Sequence, residues 1–286
     1  MKKVLVVIGL IIIGLTIGGG IAFWNNTKGV NDSTQGSVQE QSEYEKSSSN
    51  YEAKQSKLKE MLANAKTIEE YKQEFSKNKK YKENCLGDKP IDYSMFDIND
   101  INAANQAVAC YQLKYDQKRG TKEADAEYAK FSDFYFNFEN QQYQQSDVSS
   151  MSVEDVTGEQ KYIEEKLKNP TLKVAIKKLT DNYYPYGLIV QYDESAFMLV
   201  TSNKYLYENF SEYLSEPQRE FLKFYIQFDE RIIYDGHYIV PKSVLENNLK
   251  FYKDFKSKYP EFSKEHDIDK IIEYEIDAIK KYPVAY

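Results

Sequence analysis

With 286 residues, 45 acidic and 38 basic side chains, the chain carries a formal charge of −7. Only Arg119, Arg219 and Arg231 supply guanidinium groups, and phosphate neutralisation needs clustered cations, so nucleic acid is excluded from the expected partners. The 26 Tyr and 15 Phe are read as rings packed inward with their hydroxyls at the rim, since the single Trp belongs to the N-terminal segment.

The first predicted element is a membrane helix. Val4–Trp24 carries no charge and follows Lys2 and Lys3, and a helix of about 20 residues crosses a bilayer core of ~30 Å. Residues 1–24 are therefore a signal anchor or a signal peptide. Their length favours the anchor, and the alternative is cleavage near Phe23, after the small residues Gly20 and Ala22, giving a secreted or periplasmic protein. Lys2 and Lys3 stay cytoplasmic, which sends the remainder across the membrane as the extracytoplasmic part of a single-pass protein. Setting them aside leaves 36 basic against 45 acidic residues, a formal charge of −9 outside. Gly14 and Gly18 form a small-xxx-small pair that offers a route to a homodimer, although glycine is common in membrane helices generally.

Residues 25–50 are rich in Ser, Asn and Gln, with Tyr44 the only aromatic. Such a segment buries too little surface to offset its ordering entropy and is read as a flexible tether. A helical subdomain is expected over 51–145. Leu58, Met61, Leu62 and Ala65 share one helical face, and Thr67 with Glu70 forms a capping box for a helix carrying Ile68, Tyr71 and Phe75. Lys77 to Asn84 is a basic patch, read as a solvated helix end where cations suit the carboxyl-terminal dipole. Cys85 to Asp100 reads as a loop with turn signals at Gly87–Pro90.

Ile101, Ala104, Val108, Tyr111 and Tyr115 then recur at helical spacing, with Cys110 in mid-helix. Cys85 and Cys110 are the only cysteines. On the oxidising side of a membrane they are expected to form one structural disulfide, and closing that interval stabilises the fold by about 3.5 kcal/mol in the chain-entropy model. Two distant thiols are too few for zinc and lack redox C-x-x-C spacing. Gly120 closes the helix and Thr121 caps the next, whose seam is Ala124, Tyr128, Phe131, Tyr135 and Phe138.

Periodicity fails from Gln141 to Thr157, the best boundary before a second, mainly helical subdomain over 158–286. Short helices are expected at 158–168 and 172–179, with Asn169 and Pro170 as cap and first-turn proline. A turn follows at Tyr183–Gly187. Leu188–Tyr192 and Phe197–Thr201 form a hairpin about Asp193–Ala196, with a continuous helix from Ala196 as the rival reading. Further helices are expected at Tyr205–Leu214, after a box of Ser215 and Gln218, after a box of Ser243 and Glu246 up to Pro260, and through Ile268, Ile272, Ile276 and Ile279 to Tyr282. Asp235–Gly236 turns a second small hairpin. The fold class is thus mainly α: antiparallel helices with one or two small β-hairpins after an N-terminal membrane helix. The aromatic helices from Tyr205 to Tyr282 are expected to form the main packed unit.

The stretches Tyr213-Leu214-Ser215-Glu216, Asp235-Gly236 and Lys258-Tyr259-Pro260 resemble a pattern recurring in uncharacterised exported bacterial proteins. The resemblance implies export and carries no activity.

No nucleophile elbow, H-E-x-x-H, Walker or dinucleotide fingerprint is present. His237 is read as a turn residue. His266, beside Glu265, Asp267 and Asp269, is read as the start of the last helix rather than a metal cluster, because a site needs several convergent groups. No catalytic, cofactor or metal residue is assigned. The expected function is a membrane-tethered binding or scaffold protein of the bacterial envelope, with an envelope protein or a glycan as partner. The alternative is a carboxylate-based cell-wall hydrolase, which needs only two facing acids; Glu159, Glu164 and Glu165 lie near the presumed boundary.

Overall fold

The computed structural model describes residues 66–146, 148, 151, 170–193, 196–229, 233–234, 237–238 and 241–281. The expected anchor with Gly14 and Gly18, the tether, the helix through Leu58 and Ala65, and the helix at 158–168 lie outside these residues. Among the described residues no helix is long and apolar enough to cross a membrane. The fold is mainly helical with a small sheet.

Thr67 opens α1 (Ile68–Lys77) through the expected reciprocal box: the Glu70 N–H donates to Thr67 Oγ1 at 3.2 Å, and the Thr67 N–H donates to Glu70 Oε2 at 2.7 Å. The basic run departs from expectation. Asn78 ends α1 and starts α2 (Lys79–Leu86), its N–H donating to the Glu74 carbonyl while its side chain accepts from the Lys80 N–H. One asparagine thus splits the lysines between two helices, and Lys79 and Lys80 stand at the positive end of a dipole instead of the negative one.

The Cys85–Asp100 stretch begins inside α2 and holds one 3₁₀ turn, Tyr93–Met95. Helix α3 spans Ala103–Tyr115, and α4 runs from Lys122 to Gln145 with Thr121 Oγ1 accepting the Ala124 N–H. The seam predicted for α4, from Ala124 to Phe138, is buried throughout.

Beyond 169, α5 (Pro170–Tyr183) leads through the 3₁₀ turn Tyr184–Tyr186 to Gly187. Strands β1 (Leu188–Asp193) and β2 (Ala196–Thr201) pair antiparallel from Leu188↔Thr201 to Asp193↔Ala196. This is the predicted hairpin, and its β-branched runs prevail over the helical rival. A two-residue ribbon, β3 (Ile233–Tyr234) and β4 (His237–Tyr238), joins β1 through the single parallel pair Asp193↔Ile233. Helix α4 packs on β2 and α5 on β1.

Helices α6 (Asn203–Phe210), α7 (Glu216–Tyr225), α8 (Lys242–Lys258), α9 (Pro260–Glu265) and α10 (Ile268–Lys281) follow. Two expected capping boxes do not form. Ser215 precedes α7 without a side-chain cap, its N–H going instead to Asp125 Oδ1 at 2.9 Å. Ser243 lies inside α8, because Pro241 already presets the backbone that starts this helix.

Two apolar cores form among the described residues. The larger takes Tyr71, Phe75, Val108, Tyr111 and the α4 seam together with Tyr186, Leu188, Phe197, Tyr205, Phe210 and Leu214. The smaller is Phe221, Tyr252, Phe255, Phe262 and Ile268. The main packed unit therefore is not the Tyr205–Tyr282 segment: Tyr205, Phe210 and Tyr213 leave it to pack on α3 and α4, where Phe210 lies 4.5 Å from Phe131 and 4.8 Å from Tyr111 between ring centroids. Periodicity reports which face a helix buries, not which neighbour covers it.

Gly120 and Gly187 give a matched test of crowding. Both have positive φ, 73° and 80°, but a Cβ at Gly120 meets nothing within 4 Å, whereas at Gly187 it falls 2.2 Å from Tyr135 Oη and 2.5 Å from Tyr205 Cδ1. Gly120→Ala is expected to lower unfolding free energy by about 1–2 kcal/mol for its left-handed backbone. Gly187→Ala adds about 1–3 kcal/mol of overpacking to the same backbone penalty. Chemical denaturation of both variants checks this, and equal losses would refute the crowding argument.

Candidate functional site

Cys85 on α2 and Cys110 on α3 are both fully buried and stand at an S–S distance of 2.06 Å. Next to them, Asn84 closes the base of the following loop: its Nδ2 donates to the Asp92 carbonyl at 3.2 Å and its Oδ1 accepts the Asp92 N–H at 2.8 Å. The covalent link thus pins the short α2 against α3, and the polar one ties it to the loop that follows.

Three acids that the sequence did not single out, Glu127 buried and Glu139 and Asp229 half-buried, collect donors from other parts of the chain. Glu127, 2 % exposed, accepts from Lys130 Nζ at 3.0 Å and from the Tyr115 hydroxyl at 3.3 Å, both through Oε2. Burial, then the Glu127 charge, drives the Tyr93 hydroxyl pKa well above the usual tyrosine range. Glu139 Oε2 accepts from both the backbone N–H, at 2.7 Å, and the hydroxyl of Thr201, tying α4 to the end of β2. Burial raises the pKa of this carboxyl, and the two Thr201 bonds only partly offset it. Asp229 collects four donors: Ser202 Oγ at 2.7 Å, the Asn203 N–H and Nδ2 at 2.8 Å each, and the Lys204 N–H at 2.9 Å. It caps α6 from the far side of α7, a role that no local pattern announces.

At the surface, Glu216 and Glu220 of α7 flank Lys258 and Tyr259. The Tyr259 hydroxyl lies 2.8 Å from Glu216 Oε1 and 2.9 Å from Glu220 Oε2, while Lys258 Nζ lies 3.3 and 2.7 Å from the same oxygens. Two of the stretches that resemble exported proteins therefore meet in space. Hydrogen bonding lowers both carboxyl pKa values, from Tyr259 foremost at Glu216 and from Lys258 foremost at Glu220. A general acid for glycoside cleavage needs the opposite shift.

His266 ends α9, its N–H bonded to the Phe262 carbonyl at 3.0 Å and its ring 4.0 Å from the Phe262 ring. Burial lowers its pKa. Of the acids beside it, Asp267 pairs with Lys270 at 2.7 Å and Asp269 pairs with Lys256, while the Glu265 charge opposes the effect of burial on the imidazole. His237 is placed by its backbone in β4, opposite Tyr234. Glu159, Glu164 and Glu165 lie outside the described residues. Among the described residues no group of three or more His, Cys, Asp or Glu is arranged to hold a metal.

The Glu139 carboxyl has a defined pH signature. Its folded pKa lies above the unfolded value near 4.5. The folded state therefore binds the proton more tightly, so this group's contribution is fully present below the unfolded pKa and is lost as pH rises through the folded one. Glu139→Gln keeps an acceptor for Thr201 without the charge, and is expected to flatten that fall in denaturation midpoint as pH rises above the unfolded value. An unchanged pH profile would refute the assignment. No family model, curated protein or solved structure matches this chain, so its function is argued from these residues and their chemistry.

Proposed function

We propose that the chain is a membrane-tethered, extracytoplasmic binding or scaffold protein of the bacterial envelope, held by Val4–Trp24 and offering its helical body to an envelope protein or glycan. The observation that carries this reading is the Cys85–Cys110 pair at bonding distance. Buried, paired cysteines belong to oxidising compartments, and the uncharged run behind Lys2 and Lys3 supplies the route to one. The engaged state of the polar groups supports a binding role over a hydrolytic one. Glu139 is committed to Thr201, and Glu216 and Glu220 to Lys258 and Tyr259.

Fractionation of cells expressing the full chain tests the reading. The protein is expected in the membrane after a high-salt wash, with its two cysteines unreactive to alkylation until reduced. A soluble chain beginning near Phe23 would overturn the tether, and freely alkylated thiols in protein taken from its own compartment would overturn the compartment. In a deletion strain, His266→Ala is expected to restore function nearly as well as the unaltered chain. Complete loss of function at an unchanged thermal midpoint would replace the scaffold with an active site.

A further inference from the structure

The solvent face of α2 concentrates positive charge in a way that the fold itself does not reward. Lys79 and Lys80 occupy the first turn of this helix, which has no acid to balance them, so their charges oppose its dipole. Lys82 follows Lys79 by three residues, a like-charged pair on neighbouring turns that weakens an isolated helix. Lys77, the last residue of α1, adds a fourth exposed cation at the same corner. The one acid on this face is Glu83, 4.0 Å from Lys79. Lys77, Lys80 and Lys82 make no ion pair with any described residue. This stands in a chain of formal charge −7, where lysines such as Lys66, Lys118 and Lys258 each have a carboxylate within 2.8 Å.

Leu86 closes the same face. It lies four residues after Lys82 and seven after Lys79, hence on one stripe with them, and is 44 % exposed. The opposite face is fixed: Cys85 is bonded to Cys110, and the Tyr81 ring stacks on Phe75 with centroids 4.2 Å apart. A short helix burdened with unbalanced charge is thus clamped from behind, with lysines and an exposed leucine turned outward. Cations around an apolar side chain are the signature of an interfacial membrane contact, in which headgroup phosphates take the charges and the hydrocarbon takes the leucine. A soluble polyanion would use the lysines and leave Leu86 unexplained.

We propose that this face of α2 docks on an anionic phospholipid surface, with Lys77, Lys79, Lys80 and Lys82 on headgroup phosphates and Leu86 at the acyl boundary. The proposal rests on the tethered reading for one point, the nearness of the lipid. Residues 25–65 separate Trp24 from Lys66. At most about 3.5 Å per residue, that connection keeps the face within reach of the bilayer and at high effective concentration.

The test is lysine footprinting by acetylation and mass spectrometry on the full chain, in discs of phosphatidylcholine alone and of phosphatidylcholine with phosphatidylglycerol. Exposed Lys253 serves as internal reference. Labelling of Lys79, Lys80 and Lys82 is expected to fall severalfold with phosphatidylglycerol, to recover in high salt, and to recover in part in Leu86→Gln. Equal labelling in both lipids would overturn the docking. So would protection by soluble polyphosphate in phosphatidylcholine discs that matches the phosphatidylglycerol effect and is unaltered in Leu86→Gln. Retention of the chain in phosphatidylcholine discs reports on the anchor alone. If the chain leaves those discs the tether fails, and the same labelling on added vesicles still decides the docking.

Discussion

The whole arrangement turns on the close approach at Gly187. Two tyrosines from different helices, Tyr135 of α4 and Tyr205 of α6, come so near its Cα that no side chain fits between them. Tyr135 donates its hydroxyl to the Tyr186 carbonyl, and Tyr205 donates to Asn105 Oδ1 at 2.7 Å, which links α4, α6 and α3 to the start of the hairpin. The Gly187 carbonyl accepts the Ser202 N–H at 2.8 Å, and Ser202 Oγ in turn reaches Asp229. One residue without a side chain thus lets the helical layer, the hairpin and the loop after α7 close on a common point.

Tyrosine serves this fold as a buried polar linker more than as a rim residue. The Tyr111 hydroxyl donates to the Ala124 carbonyl at 3.0 Å inside the larger core, and desolvation raises its pKa. Tyr205 is treated likewise, with its pKa pushed up by burial. Phenylalanine in place of Tyr205 would fill the same space but leave the Asn105 amide oxygen without this donor, whereas the Ala124 carbonyl would keep its partner within α4. At Tyr111 and Tyr205 the rings turn inward as expected but the hydroxyls are buried, whereas Tyr184 and Tyr259 do hold theirs at the rim. Composition counts aromatic residues but does not show what their polar ends will meet.

Local features were legible because their causes are local. The Thr67–Glu70 box, the α4 seam and the strands about residues 193–196 each depend on side chains a few residues apart, and each stands where periodicity and turn chemistry placed it. The polar contacts that join elements were not legible. Glu127 reads as a surface charge until Ala124 and Phe131, three residues before it and four after, are known to be buried with it. Asp229 gathers donors from residues 202–204, a partnership created by the path of the chain and invisible in either segment. The Ser215 box failed for the same reason, since Asp125, 90 residues away, took its N–H first. Of the acids beside His266, Asp269 likewise found its partner, Lys256, on another helix.

Helix α7 belongs to both cores through adjacent residues, Leu222 in the larger and Phe221 in the smaller. Neighbours on a helix point about 100° apart, so α7 seated by Leu222 already displays Phe221 and Phe224 in the correct orientation. Among the described residues, the buried members of the larger core fall within residues 71–222, all of which precede α8 in the chain. This implies an order of assembly for a polypeptide delivered from its N-terminus: the first core forms, α7 is fixed upon it, and its aromatic face becomes the template for α8 to α10. Phe251 then stacks on Phe224 at 3.7 Å and Phe255 packs on Phe221. Until those helices arrive, the template is an uncovered aromatic surface, and the interval between the two steps is when the chain is most exposed to self-association.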